Sequence, residues 1–127
     1  MSNQLQEPVI YLEQSDFDQN LSVPALQGLS VLMIQGDFCG YCTQMKPIFQ
    51  EVANNLHGKV NFVTIQVDSK YPNEKIFQNE KFVNAFVGTN LPGVPFIVKM
   101  IDGRVVPNSN YQGNKDPRSL YEWVVTN

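Results

Sequence analysis

The sequence predicts an α/β fold with a central mixed β-sheet and helices on both of its faces. Three observations predict it. Short apolar runs rich in strand formers alternate with stretches of helical periodicity. Two of those runs, 31–34 and 60–67, are separated by a helix-length segment, which makes them a parallel crossover pair. Near the C-terminal end, Asp102-Gly103 lies between two more strand-like runs and reads as a tight hairpin.

Val9-Ile10-Tyr11-Leu12 is short and apolar, hence a strand. Ser15 is expected to cap a first short helix, interrupted by Pro24 and ending near Gly28. Val31-Leu32-Met33-Ile34 is a continuous apolar run, as in a strand covered on both faces. Cys42, Met45, Phe49, Val52, Ala53 and Leu56 recur every three or four residues, which predicts a helix over about 40–57. Pro47 lies inside it, removes a backbone donor and should bend it; His57-Gly58 closes it. Strand 60–67 ends at Asp68. Asn73 is expected to cap a helix running through Ile76, Phe77 and Phe82, and 88–93 is loop. Strand 96–101 leads through the hairpin to a return strand. Asp116-Pro117 starts the last helix, lined by Leu120, Tyr121, Trp123 and Val124. There is no internal repeat, so residues 1–127 read as one domain.

Composition agrees. The chain has 127 residues, and its 43% hydrophobic content is enough to fill one core. The net charge of -3 offers no electrostatic footprint for nucleic acid or an anionic membrane. No run reaches the ~20 apolar residues of a membrane span. The polar start MSNQLQEP lacks the pattern of a signal peptide. The expected setting is therefore intracellular and cytoplasmic; an exported mature chain that has lost its leader would read the same.

The two cysteines, Cys39 and Cys42, carry the chemistry. A bridge between them closes a loop too small to restrain the unfolded chain much, so the pair needs a chemical or metal explanation. With Cys39 just before a helix and Cys42 in its first turn, free backbone N–H groups and the helix dipole favour a thiolate at Cys39. Cys39 then attacks a disulfide, and Cys42, turned inward, resolves the mixed disulfide. This cycle needs no cofactor and no metal. Two other readings stay open: half of a zinc site shared between chains, and an inactive pair. Zinc needs two more ligands, and the single histidine, His57, lies about 22 Å along the same helix at 1.5 Å per residue.

The segment VLMIQGDFCGYCTQMKP, Val31 to Pro47, resembles the active-site segment of the thioredoxin family: strand, aromatic residue, CxxC, then a helix with proline. Gly93-Val94-Pro95 before an apolar strand is similar to the family's second active-site loop, and Gly113 before a terminal helix also matches in order. The resemblance covers about residues 7–125. It implies the thioredoxin fold, Cys39 as nucleophile and Cys42 as resolving cysteine. It implies a cis Val94–Pro95 bond that brings the Val94 backbone to the disulfide, where an extended client pairs as an added strand. Phe38 stands where a tryptophan is usual and is expected either as an apolar platform beside the sulfur or as packing.

The departures are informative. Met33 occupies the place of the family's buried aspartate, and Thr64 that of the lysine that often accompanies it. With no buried carboxylate, a cationic neighbour would be an uncompensated burden. Deprotonation of Cys42 must then rely on water or another group; Asp37 is a candidate base, though a loop aspartate is ordinarily just solvated. Gly40-Tyr41 replaces the usual Gly-Pro, loosening the helix start and offering a Tyr41 aromatic contact or hydroxyl near Cys39. Around the pair only Lys46 is basic, so the doubly carboxylated glutathione has no evident recognition set.

These features predict a monomeric thiol–disulfide oxidoreductase that reduces protein disulfides in intracellular electron transport. Its partners are protein disulfides or dithiols, with an upstream reductase or a small-molecule dithiol to regenerate it. A disulfide oxidase or isomerase is the first alternative, and a non-enzymatic interaction or structural protein the second. His57 reads as an exposed helix-end residue and Trp123 as core or rim packing. Tyr111 and Tyr121 show no catalytic arrangement. The polar 68–95 region either widens the partner surface or varies without function.

Overall fold

The computed structural model describes residues 4–126; Met1, Ser2 and Asn3 of the polar start, and Asn127, lie outside the described residues. Among the described residues five strands form one sheet: β1 (Ile10–Tyr11), β2 (Leu29–Gln35), β3 (Asn61–Gln66), β4 (Phe96–Ile101) and β5 (Arg104–Val105). Their order across the sheet is β1-β3-β2-β4-β5. β2 runs parallel to β3 and antiparallel to β4, so the sheet is mixed. The central strands carry fully buried runs because both faces are covered.

Alternation along the strands sorts the core into two layers. Val31, Met33, Phe62 and Ile97 face one side, against Met45, Phe49 and Val52 of α1 (Gly40–Asn55) and Leu120 and Val124 of α3 (Pro117–Val125). Leu32, Ile34, Val63, Ile65 and Val98 face the other, against Val83, Phe86 and Val87 of α2 (Glu80–Val87). This is the thioredoxin fold expected from the resemblance.

Two expected elements differ. No helix forms between Ser15 and Gly28. A single 3-10 turn covers Gln14–Asp16, and Ser15 lies inside it rather than capping a helix. The Asp16 carboxylate accepts the Glu13 N–H at 2.7 Å. Asp18 then accepts the backbone N–H groups of Asn20 and Ser22 and the Ser22 hydroxyl. Leu21 takes a left-handed conformation at φ 58°. Side-chain acceptors thus take the donors a helix would have used, and Pro24 supplies none. The helix expected from Asn73 is also divided. Pro72–Gln78 is 3-10, and the α-helix begins after Asn79, whose Oδ1 accepts the N–H groups of Lys81 and Phe82. Asn79, not Asn73, is the cap, and α2 extends over Ala85-Phe86-Val87 to a left-handed Gly88.

The remaining elements fall where expected. Pro47 lies inside α1, which ends at Asn55 with Leu56 as its C-cap, just short of the expected close at His57-Gly58; Gly58 has φ 85°. Asp102-Gly103 turns β4 into β5, and the Asp116 carboxylate caps α3 through the Ser119 N–H at 2.8 Å. His57 is exposed. Trp123 is half-buried, with the Tyr111 ring 5.3 Å away and Lys99 over its face at 4.8 Å.

Candidate active site at the start of helix α1

β2 delivers the chain to the end of the sheet, where Gly36-Asp37-Phe38 turns it into α1. At Gly36 a Cβ would meet the ring of the exposed Phe38, so the ring packs over the glycine in this turn. The turn is pinned by Asp68, which follows the parallel strand β3. Its carboxylate accepts the N–H groups of Asp37 at 2.9 Å and Phe38 at 3.1 Å. Burial works against the Asp68 charge, but these N–H groups and the Gln66 amide outweigh it and hold the carboxyl below its ordinary range.

Cys39 is the N-cap of α1, and its Sγ accepts the N–H of Cys42 at 3.1 Å. The helix end thereby directs a donor at the sulfur, a contact stronger for an anion than for a thiol. In the thiol form Cys39 Sγ donates to the carbonyl oxygen of Val94, 3.5 Å away. The Val94–Pro95 bond is cis, and both residues are half-buried. Residues 55 positions apart are therefore joined at one sulfur.

Both cysteines are free thiols, Cys39 partly exposed and Cys42 buried. Burial pushes the Cys42 thiol up to about 12, and its hydrogen bond with Cys39 adds to this; the Gly36 N–H and the Lys46 charge act in the opposite direction. One sulfur thus meets solvent, and the other sits behind it, protonated at neutral pH.

Phe38 and Tyr41 flank the pair with exposed rings, Phe38 at 71% and Tyr41 at 61%. Phe38 therefore stands outside the core. Lys115 lies 3.8 Å over the Tyr41 ring, a contact not evident from sequence. Gly40 opens α1 with open space where its side chain would be. A cleft of about 960 Å³ adjoins Cys39, walled by Phe38, Val67, Val83, Leu91 and Val94, with Asp68 and Glu80 on its lining.

Beneath α1 the sheet carries uncharged groups at the two family positions. Met33 and Thr64 are register partners, both fully buried. The Thr64 hydroxyl donates to the Met33 carbonyl at 2.7 Å and accepts from Gln35 Nε2 at 3.2 Å. Gln35 is fully buried, and among the described residues its Oε1 finds no hydrogen-bond donor.

Charge appears instead in the turn. Lys46, one helical turn after Cys42, is buried, and its Nζ lies 2.7 Å from Asp37 Oδ1. Asp37 Oδ2 accepts from Gln66 Nε2, which also donates to Asp68. Asp37 is thus an ion-pair partner rather than a merely solvated loop residue. Sequence reasoning placed Lys46 and Asp37 near the cysteines without pairing them, and it missed Gln35, Gln66 and Asp68. The i to i+4 spacing of Cys42 and Lys46, and the adjacent ends of two parallel strands, were the available signals. Among the described residues no group of three or more His, Cys, Asp or Glu gathers to hold a metal, and no helix is long and apolar enough to cross a membrane.

Comparison with known proteins agrees with this fold. The chain is 32% identical to the thioredoxin-like protein 453L of Invertebrate iridescent virus 6, over 85% of this chain and 86% of that one. It is 25% identical to the protein disulfide-isomerase like 2-2 of Arabidopsis thaliana, over 93% of this chain but only 23% of that protein. Among solved structures, a form II crystal structure of human ERp44 superposes with a TM-score of 0.67 at 14% identity, covering 98% of this chain and 31% of that one. The J-Trx1 fragment of ERdj5 gives 0.63 at 18% identity, covering 91% and 47%. The chain thus spans less than half of these longer proteins. The family profile described as Thioredoxin matches residues 8–126, which takes in the cysteine pair, the Val94–Pro95 loop and every strand of the sheet, and the chain belongs to the thioredoxin family.

Proposed function

We propose that the protein is a thiol–disulfide oxidoreductase that reduces protein disulfides through a mixed disulfide on Cys39. The observation that carries this reading is the asymmetry of the pair: Cys39 Sγ caps a helix, partly exposed beside Val94, while Cys42 is buried behind it. The Cys39 thiolate attacks a client disulfide and displaces one client thiolate. Cys42 then attacks Cys39 Sγ, frees the second client thiol and leaves the internal disulfide. A reductase or a small dithiol returns both electrons.

The surroundings favour a protein client. The cleft beside Cys39 is walled by apolar side chains, with the exposed Phe38 ring at its mouth. An extended client segment pairs with the Val94 backbone as an added strand. The carboxylates of Asp68 and Glu80 on the lining disfavour the anionic glutathione.

The test is turnover of a disulfide-bonded substrate protein with dithiothreitol as electron source. Cys39→Ser is expected to abolish turnover, and Cys42→Ser to trap a covalent client complex. Equal turnover by wild type and both variants rejects the reading. Tight client binding without turnover by the wild type would indicate an interaction protein instead.

Likeness to a protein disulfide-isomerase-like protein supports a second reading, an oxidase or isomerase. Equilibrium titration against glutathione separates the two. A potential near about -270 mV fits a reductant and one near about -120 mV an oxidant.

A further inference from the structure

We propose that Lys46, anchored by Asp37, is a positioning residue that stabilises the Cys42 sulfur as an anion while it attacks the Cys39–client disulfide. This rests on the exchange reading above. Four observations carry it. Lys46 stands one helical turn from Cys42, and its side chain is only 5% exposed. On the sheet face under α1, Met33, Gln35 and Thr64 are all neutral. The Lys46 ammonium is tied at 2.7 Å to Asp37, whose side chain is 46% exposed, so the cation is only partly neutralised by a solvated partner. The same Asp37 is fixed from behind by Gln66 and from its own backbone by Asp68, which sets the position of the ammonium.

The charge site of the fold has in effect moved. Where a strand carboxylate would draw off the Cys42 proton, this chain has a cation that lowers the cost of the anion left behind. The groups that act on the Cys42 thiol include Cys39, the Gly36 N–H and Lys46, with Asp37 beyond the ammonium. In the step itself Cys42 gives its proton to water and its thiolate attacks Cys39 Sγ. The Cys39–client bond breaks, and the electron pair leaves on the client sulfur. The protein dithiol is oxidised by two electrons and the client disulfide is reduced by the same two.

A stabilising cation and a purely structural ion pair predict different signs. Removing Lys46 takes the positive charge from Cys42. Removing the Asp37 charge leaves an unpaired buried ammonium, which attracts the thiolate more strongly. A structural pair would impair the step in both cases.

The experiment uses 5,5′-dithiobis(2-nitrobenzoate) with the fully reduced protein, followed by stopped flow across a range of pH. The first coloured anion released reports attack by Cys39, and the second reports resolution by Cys42. Lys46→Met is expected to slow the second phase about threefold at pH 7, a tenfold loss of thiolate being partly offset by its greater nucleophilicity. Lys46→Arg should restore the rate, and Asp37→Asn should raise it. The first phase is recorded in the same trace, and the second is read as its ratio to the first. An unaltered second phase in Lys46→Met, or slowing in both Lys46→Met and Asp37→Asn, overturns the proposal. No first phase in the wild type overturns the exchange reading itself, and the proposal with it. Asp37→Asn leaves the buried lysine in place, so it decides the sign even if Lys46→Met folds poorly.

Discussion

Cys42 ties the site to the stability of the whole chain. Its folded thiol lies near 12, above the ordinary value of 9.0, chiefly because it is buried. Between those values the unfolded chain has released a proton that the folded protein retains. The unfolded state therefore binds fewer protons, and stability falls as pH rises above about 9, by up to about 1.4 kcal/mol per pH unit. Below that range the thiol is protonated in both states and adds no pH dependence. Urea unfolding of reduced wild type and Cys42→Ala from about pH 8 to about 10.5 checks this. The wild type should lose stability more steeply, and parallel curves would contradict it. Comparing the two chains cancels groups outside the cysteine pair, such as Tyr11 and Tyr111 with raised values and Lys99 with a lowered one, all three shifted chiefly by burial.

At the scale of elements, what the sequence made legible was periodic or immediately local. The α1 stripe from Cys42 to Leu56, the apolar run of β2 and the Asp102-Gly103 turn are each written within a few residues. The misplaced starts have one cause. Asn, Asp and Ser are all good caps, and the chain holds several close together. Pattern alone does not say which of Asn73 and Asn79 takes the N–H groups; packing of Phe77, Val83 and Phe86 against the sheet selects Asn79. Asn79→Ala is expected to cost about 1 kcal/mol in urea unfolding, while Asn73→Ala should be nearly neutral. Equal costs would show that Asn79 is no special cap. Because α2 carries Glu80, Val83 and Asn84 on the cleft lining, the cap also helps fix one wall beside Cys39.

At the scale of the molecule, two apolar layers hold the sheet between them, and loops from distant parts of the chain lock its ends. The β4–β5 hairpin meets the irregular segment that replaces the first expected helix. The Val23 N–H donates to the Gly103 carbonyl at 2.9 Å. Gly103 has φ 81°, and a Cβ there would lie 2.1 Å from the Val23 carbonyl oxygen. Gly103→Ala therefore combines a disfavoured backbone angle with a backbone collision. It should cost about 2 kcal/mol or more, read as a lowered urea midpoint with an unchanged slope. Gly40→Ala, with open space at its Cβ, should cost far less in the same measurement.

The amino-acid sequence by itself determined the strands, the crossover between β2 and β3, the cysteine pair at a helix start and the cap of α3. Each depends on side-chain alternation or on a side chain reaching its own backbone, which act over a few residues. That Val94 meets Cys39 was legible only through the family resemblance, and only the tertiary structure decided that Lys46 is buried against Asp37 and that 17–28 stays irregular. Those outcomes depend on which groups lose water together when distant segments pack. Desolvation and ion pairing belong to contacts between segments, so no local stretch of sequence records them.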